Sequence, residues 1–198
     1  MRLPPEFVVV RERARPLAPD DRREMILGAI IPLLRERGRD VTSRELAEAA
    51  GVAEGTLFRA FGDKESIIQA GVEKMFDPEP FRAALRTIRH DLPLEEKLSE
   101  IIKLLRGRFE GVFAIMTAFG LERPPQGRPG GFEEWVEIVT DLLENDVHLL
   151  AVPAETIAYY VRLVAFASVL PPLNTTRSFD SSELAALVAH GIAASPAA

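Results

Sequence analysis

The chain has 198 residues, 47% hydrophobic and 27% charged, with a mean hydropathy of +0.04 and a formal net charge of −6. That length holds one medium domain, or a small domain fused to a larger one, and can bury a core without covalent staples. The absence of cysteine excludes disulfide frameworks, thiolate metal sites and cysteine nucleophiles, and the net acidity argues against nucleic-acid binding by bulk charge alone.

The charge is unevenly divided. Residues 1–64 hold 12 Lys/Arg against 11 Asp/Glu, whereas the remainder carries a net −7. The opening Met1-Arg2-Leu3-Pro4-Pro5-Glu6 lacks the apolar stretch of a secretory signal. No uncharged apolar run reaches the roughly 20 residues a membrane span needs. A cytoplasmic protein with no membrane partner is therefore expected. In that setting Asn174-Thr175-Thr176 is a chance match to a glycosylation acceptor.

In chain order, residues 1–19 contain four prolines together with Arg2, Arg11, Arg13 and Arg15, and are expected to form a flexible basic arm. A first helix starts near Asp20-Asp21. Its apolar stripe is Met25, Ile26, Ala29, Ile30, Leu33 and Leu34. Pro32 should bend it, and Gly38 should end it. Thr42 and Glu45 have the spacing of a capping box for a second helix, which carries Leu46, Ala47 and Ala50 and breaks at Gly51. A short third helix spans about Glu54 to Phe61. Gly62 ends it, and Asp63 caps a fourth helix running from Lys64 to about Phe76.

Further helices fill the rest. One follows Asp77-Pro78 with Phe81, Leu85 and Ile88 inward. Another follows Pro93 through Leu98, Ile101, Ile102 and Leu105 and continues to Phe119. Glu122 to Gly131 reads as a loop. Phe132 to Asn145, Pro153 to Leu170 and Ser181 to Ala194 complete an all-α chain, with Pro171-Pro172 closing the second of these and Asp180 and Glu183 capping the last. No β-alternating segment and no internal repeat is present.

Thr42 to Lys64 is the informative stretch. Two short helices joined by a tight turn at Gly51-Val52-Ala53 have the layout of a helix-turn-helix. Val52 plugs the angle against Leu46, Ala47 and Leu57. Glu54, Thr56 and Arg59 point outward, and a helix of this size fits a major groove. Spacing alone leaves open an ordinary αα-hairpin, used structurally or as a module that binds another protein. The run from Thr42 to Ser66, together with the preceding Glu36-Arg37-Gly38, resembles the tetracycline-repressor (TetR) family of bacterial transcription regulators over about 45 residues.

The resemblance implies an N-terminal helix-turn-helix domain (20–66, after the arm at 1–19) fused to a larger helical body (67–198) that binds an effector and dimerises. It implies that Thr42 and Arg44 contact backbone phosphate. Glu54, Gly55, Thr56 and Arg59 match the groove-facing positions, and Lys64 matches a phosphate-binding lysine at a helix N-terminus. Three positions depart from the pattern. Ala53 replaces a capping serine or threonine, Phe58 stands where a tyrosine often donates to phosphate, and Ala60 replaces a common histidine. The arm's arginines suit an adjacent minor groove, although a solvated tail is the plainer reading.

The implied partners are double-stranded DNA with a palindromic operator, a second copy of the chain and an unknown small-molecule effector, so the expected function is a repressor released by a small apolar ligand rather than an enzyme. Tyr159, Leu163, Phe166, Leu184, Leu187 and Val188 are the candidate dimer residues, on two helices richer in apolar surface than one buried stripe requires. Plain intrachain core is the alternative. Phe109, Phe113, Met116, Phe119, Trp135 and Tyr160 are the candidate lining of an apolar effector pocket, with simple core again the alternative. Asp141, Glu144 and His148 fall at i, i+3, i+7 of one predicted helix. A solvated acidic helix end explains them better than a metal site, and no metal or cofactor is expected. There is no Gly-rich phosphate loop, G-x-S-x-G elbow or His-Glu-x-x-His to support catalysis.

Overall fold

A computed structural model of the chain describes residues 18–125, 131–170 and 177–192. Residues 1–17, most of the expected arm, lie outside the described residues, as do Pro171-Pro172 and Asn174-Thr175-Thr176.

The described chain is helical. It runs through α1 (Pro19–Arg37), a 3-10 turn (Gly38–Asp40), α2 (Ser43–Ala50), α3 (Glu54–Phe61), α4 (Lys64–Met75), α5 (Glu79–Arg86) and α6 (Leu94–Phe119). It continues through α7 (Gly131–Leu142), a second 3-10 stretch (Glu144–Leu149), α8 (Ala154–Ser168) and α9 (Ser181–Ile192). The punctuation follows local chemistry. Pro19 opens α1, where its missing N–H costs no hydrogen bond, and α1 continues through Pro32 to Arg37. Asp180 caps α9 by accepting from the Glu183 amide at 2.8 Å, while the Glu183 carboxylate accepts from the Asp180 amide at 2.9 Å.

Two hydrophobic cores result. The first joins Ile26, Ile30 and Leu34 of α1 with Leu46, Leu57, Phe61 and the α4 residues Ile67, Ile68, Val72 and Met75. The expected domain boundary at 66 therefore falls inside α4, whose apolar face packs with the helix-turn-helix. The second core gathers Leu98, Ile101, Ile102 and Leu105 of α6 with Trp135 and Val139 of α7, Ile157, Val161 and Ala165 of α8, and Leu184 and Val188 of α9.

Helix α6 belongs to both. Its first half lies in the second core, and Ile115 and Phe119 at its far end are buried in the first. At 26 residues and 1.5 Å per residue it is about 39 Å long, a single rigid element with an end in each core.

The segment after α7 departs from the expected helix to Asn145. Lys97, fully buried on α6, donates from Nζ to the Leu142 carbonyl at 3.3 Å and to Asp146 Oδ2 at 2.6 Å. An α-helix would have used that carbonyl for the Asp146 amide. The amide instead bonds Leu143 O at 2.9 Å, and the chain tightens into the 3-10 stretch. Asp141 therefore lies on α7 while Glu144 and His148 lie on the 3-10 stretch, so they do not share an α-helical face. Among the described residues no group of three or more His, Cys, Asp or Glu is placed to hold a metal ion, and no helix is long and apolar enough to cross a membrane.

Candidate nucleic-acid interface

The helix-turn-helix is assembled from its caps inward. Thr42 Oγ1 accepts from the Glu45 amide at 3.2 Å, and Glu45 Oε2 accepts from both the Thr42 amide and its hydroxyl at 2.8 Å. The Thr42 amide holds the Glu45 carboxyl below the ordinary glutamate range. Gly51 ends α2 at φ 65° and ψ 30°, and the Val52 amide donates back to Ala47 O at 3.0 Å. That bond turns half-buried Val52 onto the first core, in the angle between α2 and α3.

Helix α3 buries Leu57 and Phe61. Glu54, Gly55 and Arg59 are exposed, and Thr56 and Phe58 are half-buried. Ala53 stands at the N-cap with no side-chain bond, so the first turn of α3 is held by packing and not by a cap. Phe58 rests on the first core, which accounts for an aromatic ring there without a hydroxyl.

At the start of α4, Asp63 Oδ1 accepts from the Ser66 amide at 2.7 Å, which lowers the Asp63 pKa below the ordinary aspartate value. Lys64, half-buried, sets its Nζ 3.4 Å from the Arg39 carbonyl in the 3-10 turn. Arg39 itself pairs with Glu65 at 3.2 Å. Arg39 has no motif signal of its own, and only the fold brings its carbonyl to Lys64. Arg44 donates from Nε to Glu48 at 2.9 Å, and that bond raises its pKa.

All eight residues singled out for DNA thus sit on the α2 N-terminus, α3 and the α4 N-terminus, and none is buried. Their availability differs. The hydroxyl and amide of Thr42 are already engaged by Glu45, so a phosphate would compete with the capping box. Arg59 has no such partner among the described residues.

The six aromatic and methionine candidates for an effector pocket do not share one cavity among the described residues. Phe119 is in the first core, Trp135 is in the second with its indole N–H on the Ala158 carbonyl at 3.3 Å, and Tyr160 is exposed. Phe109 and Phe113 do come together around Phe166, with ring centroids 5.2 Å and 5.8 Å away. Met116 is half-buried. The dimer candidates divide as well. Leu184 and Val188 are in the chain's own core, whereas Tyr159, Leu163, Phe166 and Leu187 are exposed.

Residues 26–70 match the family described as bacterial regulatory proteins, tetR family. Solved structures share the architecture. One gives the molecular basis for control of antibiotic production by bacterial hormones, at 22% identity over 88% of this chain and 98% of that chain, with a TM-score of 0.58. A TetR transcriptional regulator from Streptomyces coelicolor is 20% identical over 88% of this chain and 99% of that chain, with a TM-score of 0.53. The superantigen PfiT is 16% identical over 91% of this chain and 100% of that chain, with a TM-score of 0.56. Identities this low establish a common fold and no common activity, and no curated protein matches the chain. The helix-turn-helix supplies what the fold alone does not: its residues, within 26–70, are similar to the tetR family of bacterial regulatory proteins.

Proposed function

We propose that the chain acts as a homodimer on a palindromic double-stranded operator, that it represses transcription, and that a small-molecule effector bound by its body releases it. The observation that carries this reading is α3, which is anchored by Leu57 and Phe61 while Glu54, Gly55 and Arg59 stay open to solvent. One such unit covers too few base pairs to be specific. Two units about 34–36 Å apart reach successive major-groove faces.

Leu163 is 66% exposed, Leu187 58% and Tyr159 54%, on two helices otherwise packed into the second core. Apolar surface of that kind marks an interaction face, and a second copy covers it by two-fold symmetry. Leu184 and Val188 then support the interface from beneath without touching the partner. Release follows from α6, because a ligand that shifts its first half moves Ile115 and Phe119 within the core that carries α3. A coupling of about 1–3 kcal/mol changes occupancy several-fold.

Selection of bound DNA fragments, followed by footprinting and sedimentation at micromolar concentration, tests the reading. A paired half-site with a salt-dependent shift and a dimeric mass is the expected result. Absence of any DNA shift, or a monomer only, overturns it.

A further inference from the structure

The 3-10 turn between α1 and α2 is fixed on both sides. Gly38 is buried so closely against α6 that a Cβ there would fall 2.4 Å from the Ala118 carbonyl oxygen. Val41, just past the turn, is fully buried in the first core. Arg39 and Asp40 between them are exposed. The Arg39 guanidinium does not fold back on neighbouring Asp40. It crosses to the start of α4, where Nη1 donates to Glu65 Oε2 at 3.2 Å. The carbonyl of the same residue accepts from Lys64 Nζ at 3.4 Å. One residue thus meets the first two residues of α4, orienting the ammonium with its backbone and setting its own cation beside it. Three residues on from Arg39, Thr42 caps α2, so the turn joins the two places already singled out for phosphate.

Without Arg39 this edge is poor in cations. Lys64 stands in sequence between Asp63 and Glu65, and the Asp63 carboxylate already accepts from the Ser66 amide at 2.7 Å. A phosphate arriving there would meet one ammonium flanked by two carboxylates. Arg39 is the group that neutralises Glu65, and its remaining guanidinium donors have no partner among the described residues. The pair is open to solvent, with the Arg39 side chain 54% exposed and that of Glu65 70%. Exposed pairs of this kind add little to stability, so the guanidinium can trade a carboxylate for a phosphate at small cost. Its planar fork suits phosphate as well as carboxylate.

We propose that Arg39 is a further phosphate-binding residue, acting beside Lys64 on the same stretch of DNA backbone, and that Glu65 occupies its guanidinium while DNA is absent. This rests on the DNA-binding reading above and adds to it a contact that anchors the duplex without reading bases. The two members of the pair then act in opposite directions, since Arg39 holds the phosphate and Glu65 competes with it.

The test is fluorescence anisotropy of the full chain with a fluorescein-labelled duplex of mixed sequence, over a range of salt concentrations. R39A should weaken binding roughly fivefold at low salt and lower the log–log salt slope by about 0.9, the loss of one phosphate contact. E65Q should tighten binding. R39A/E65Q has the parent's net charge, so a general field effect predicts the parent's behaviour, whereas a direct contact predicts that the slope stays lowered. R89A removes the same charge from an exposed pair in the body and should change nothing. Both side chains of the Arg39–Glu65 pair are exposed, so the variants keep the fold, which circular dichroism checks. The proposal is overturned by R39A binding like the parent, by R39A and E65Q both weakening binding as a merely structural pair would, by a parental slope in R39A/E65Q, or by R89A matching R39A. K64A is measured alongside. Loss of affinity in K64A with none in R39A removes Arg39 alone, whereas a parent chain that binds no duplex at low salt removes the DNA-binding reading and this contact with it.

Discussion

Arg108 on α6 donates from Nη2 to the carbonyl of Phe76, the residue that closes α4, at 2.5 Å. Its Nη1 lies 3.5 Å from the Met75 carbonyl. A guanidinium at a helix C-terminus satisfies carbonyls that the helix leaves open and complements the negative end of its dipole. Burial draws the Arg108 pKa below the usual arginine value, and the guanidinium remains charged. The contact ties the body to the helix whose other end carries Lys64.

Replacing Arg108 with leucine leaves those carbonyls without a donor. A loss of about 1–3 kcal/mol in unfolding free energy is expected, read from urea denaturation. Unchanged stability would show that water caps α4 equally well.

Gly38 and Gly51 make an internal comparison. Both have positive φ, but Gly51 sits in the left-handed helical basin with open space around it. Gly38 has φ 57° with ψ −128°, and a Cβ there would fall 2.4 Å from the Ala118 carbonyl oxygen. Gly51→Ala should cost about 1–2 kcal/mol, the penalty for a side chain in that basin. Gly38→Ala should cost about 3 kcal/mol or more, because α6 must also move away. Thermal unfolding of the two variants side by side reads the difference, and equal midpoints would refute the close approach.

Lys97 and Asp146 form a buried ion pair at 2.6 Å. Lys97→Met alone strands a carboxylate in the second core and should cost about 3 kcal/mol. Adding Asp146→Leu should recover most of that loss, since an apolar pair avoids the desolvation penalty. A double-mutant cycle in denaturant gives the coupling, and additive losses would show that the two side chains act independently.

Arg59 and Lys64 should separate base reading from anchoring. Arg59→Ala is expected to relax sequence preference by about 1–3 kcal/mol at the base it reads. Lys64→Ala should weaken all sequences alike and reduce the salt slope by about 1. Fluorescence anisotropy with matched and scrambled operators at several salt concentrations distinguishes them. Identical profiles for both variants would remove the assigned division.

The sequence by itself determined what nearest neighbours along the chain decide. The capping box at Thr42 and Glu45, the left-handed turn at Gly51 and the short helix from Glu54 to Phe61 are local features, and each is where spacing put it. The all-helical class was legible for the same reason. Only the tertiary structure decided which apolar stripe meets which. A helical repeat specifies a face but not its partner, so Phe119 belongs to the helix-turn-helix core and not with Trp135, and Leu184 and Val188 turn inward while Leu187 stays out. The end of α7 was settled across space too. The Leu142 carbonyl bonds a lysine 45 positions earlier in the chain, and the one local sign of it was a charged residue on the inner face of α6. Long-range contacts select among arrangements that local propensity leaves equal.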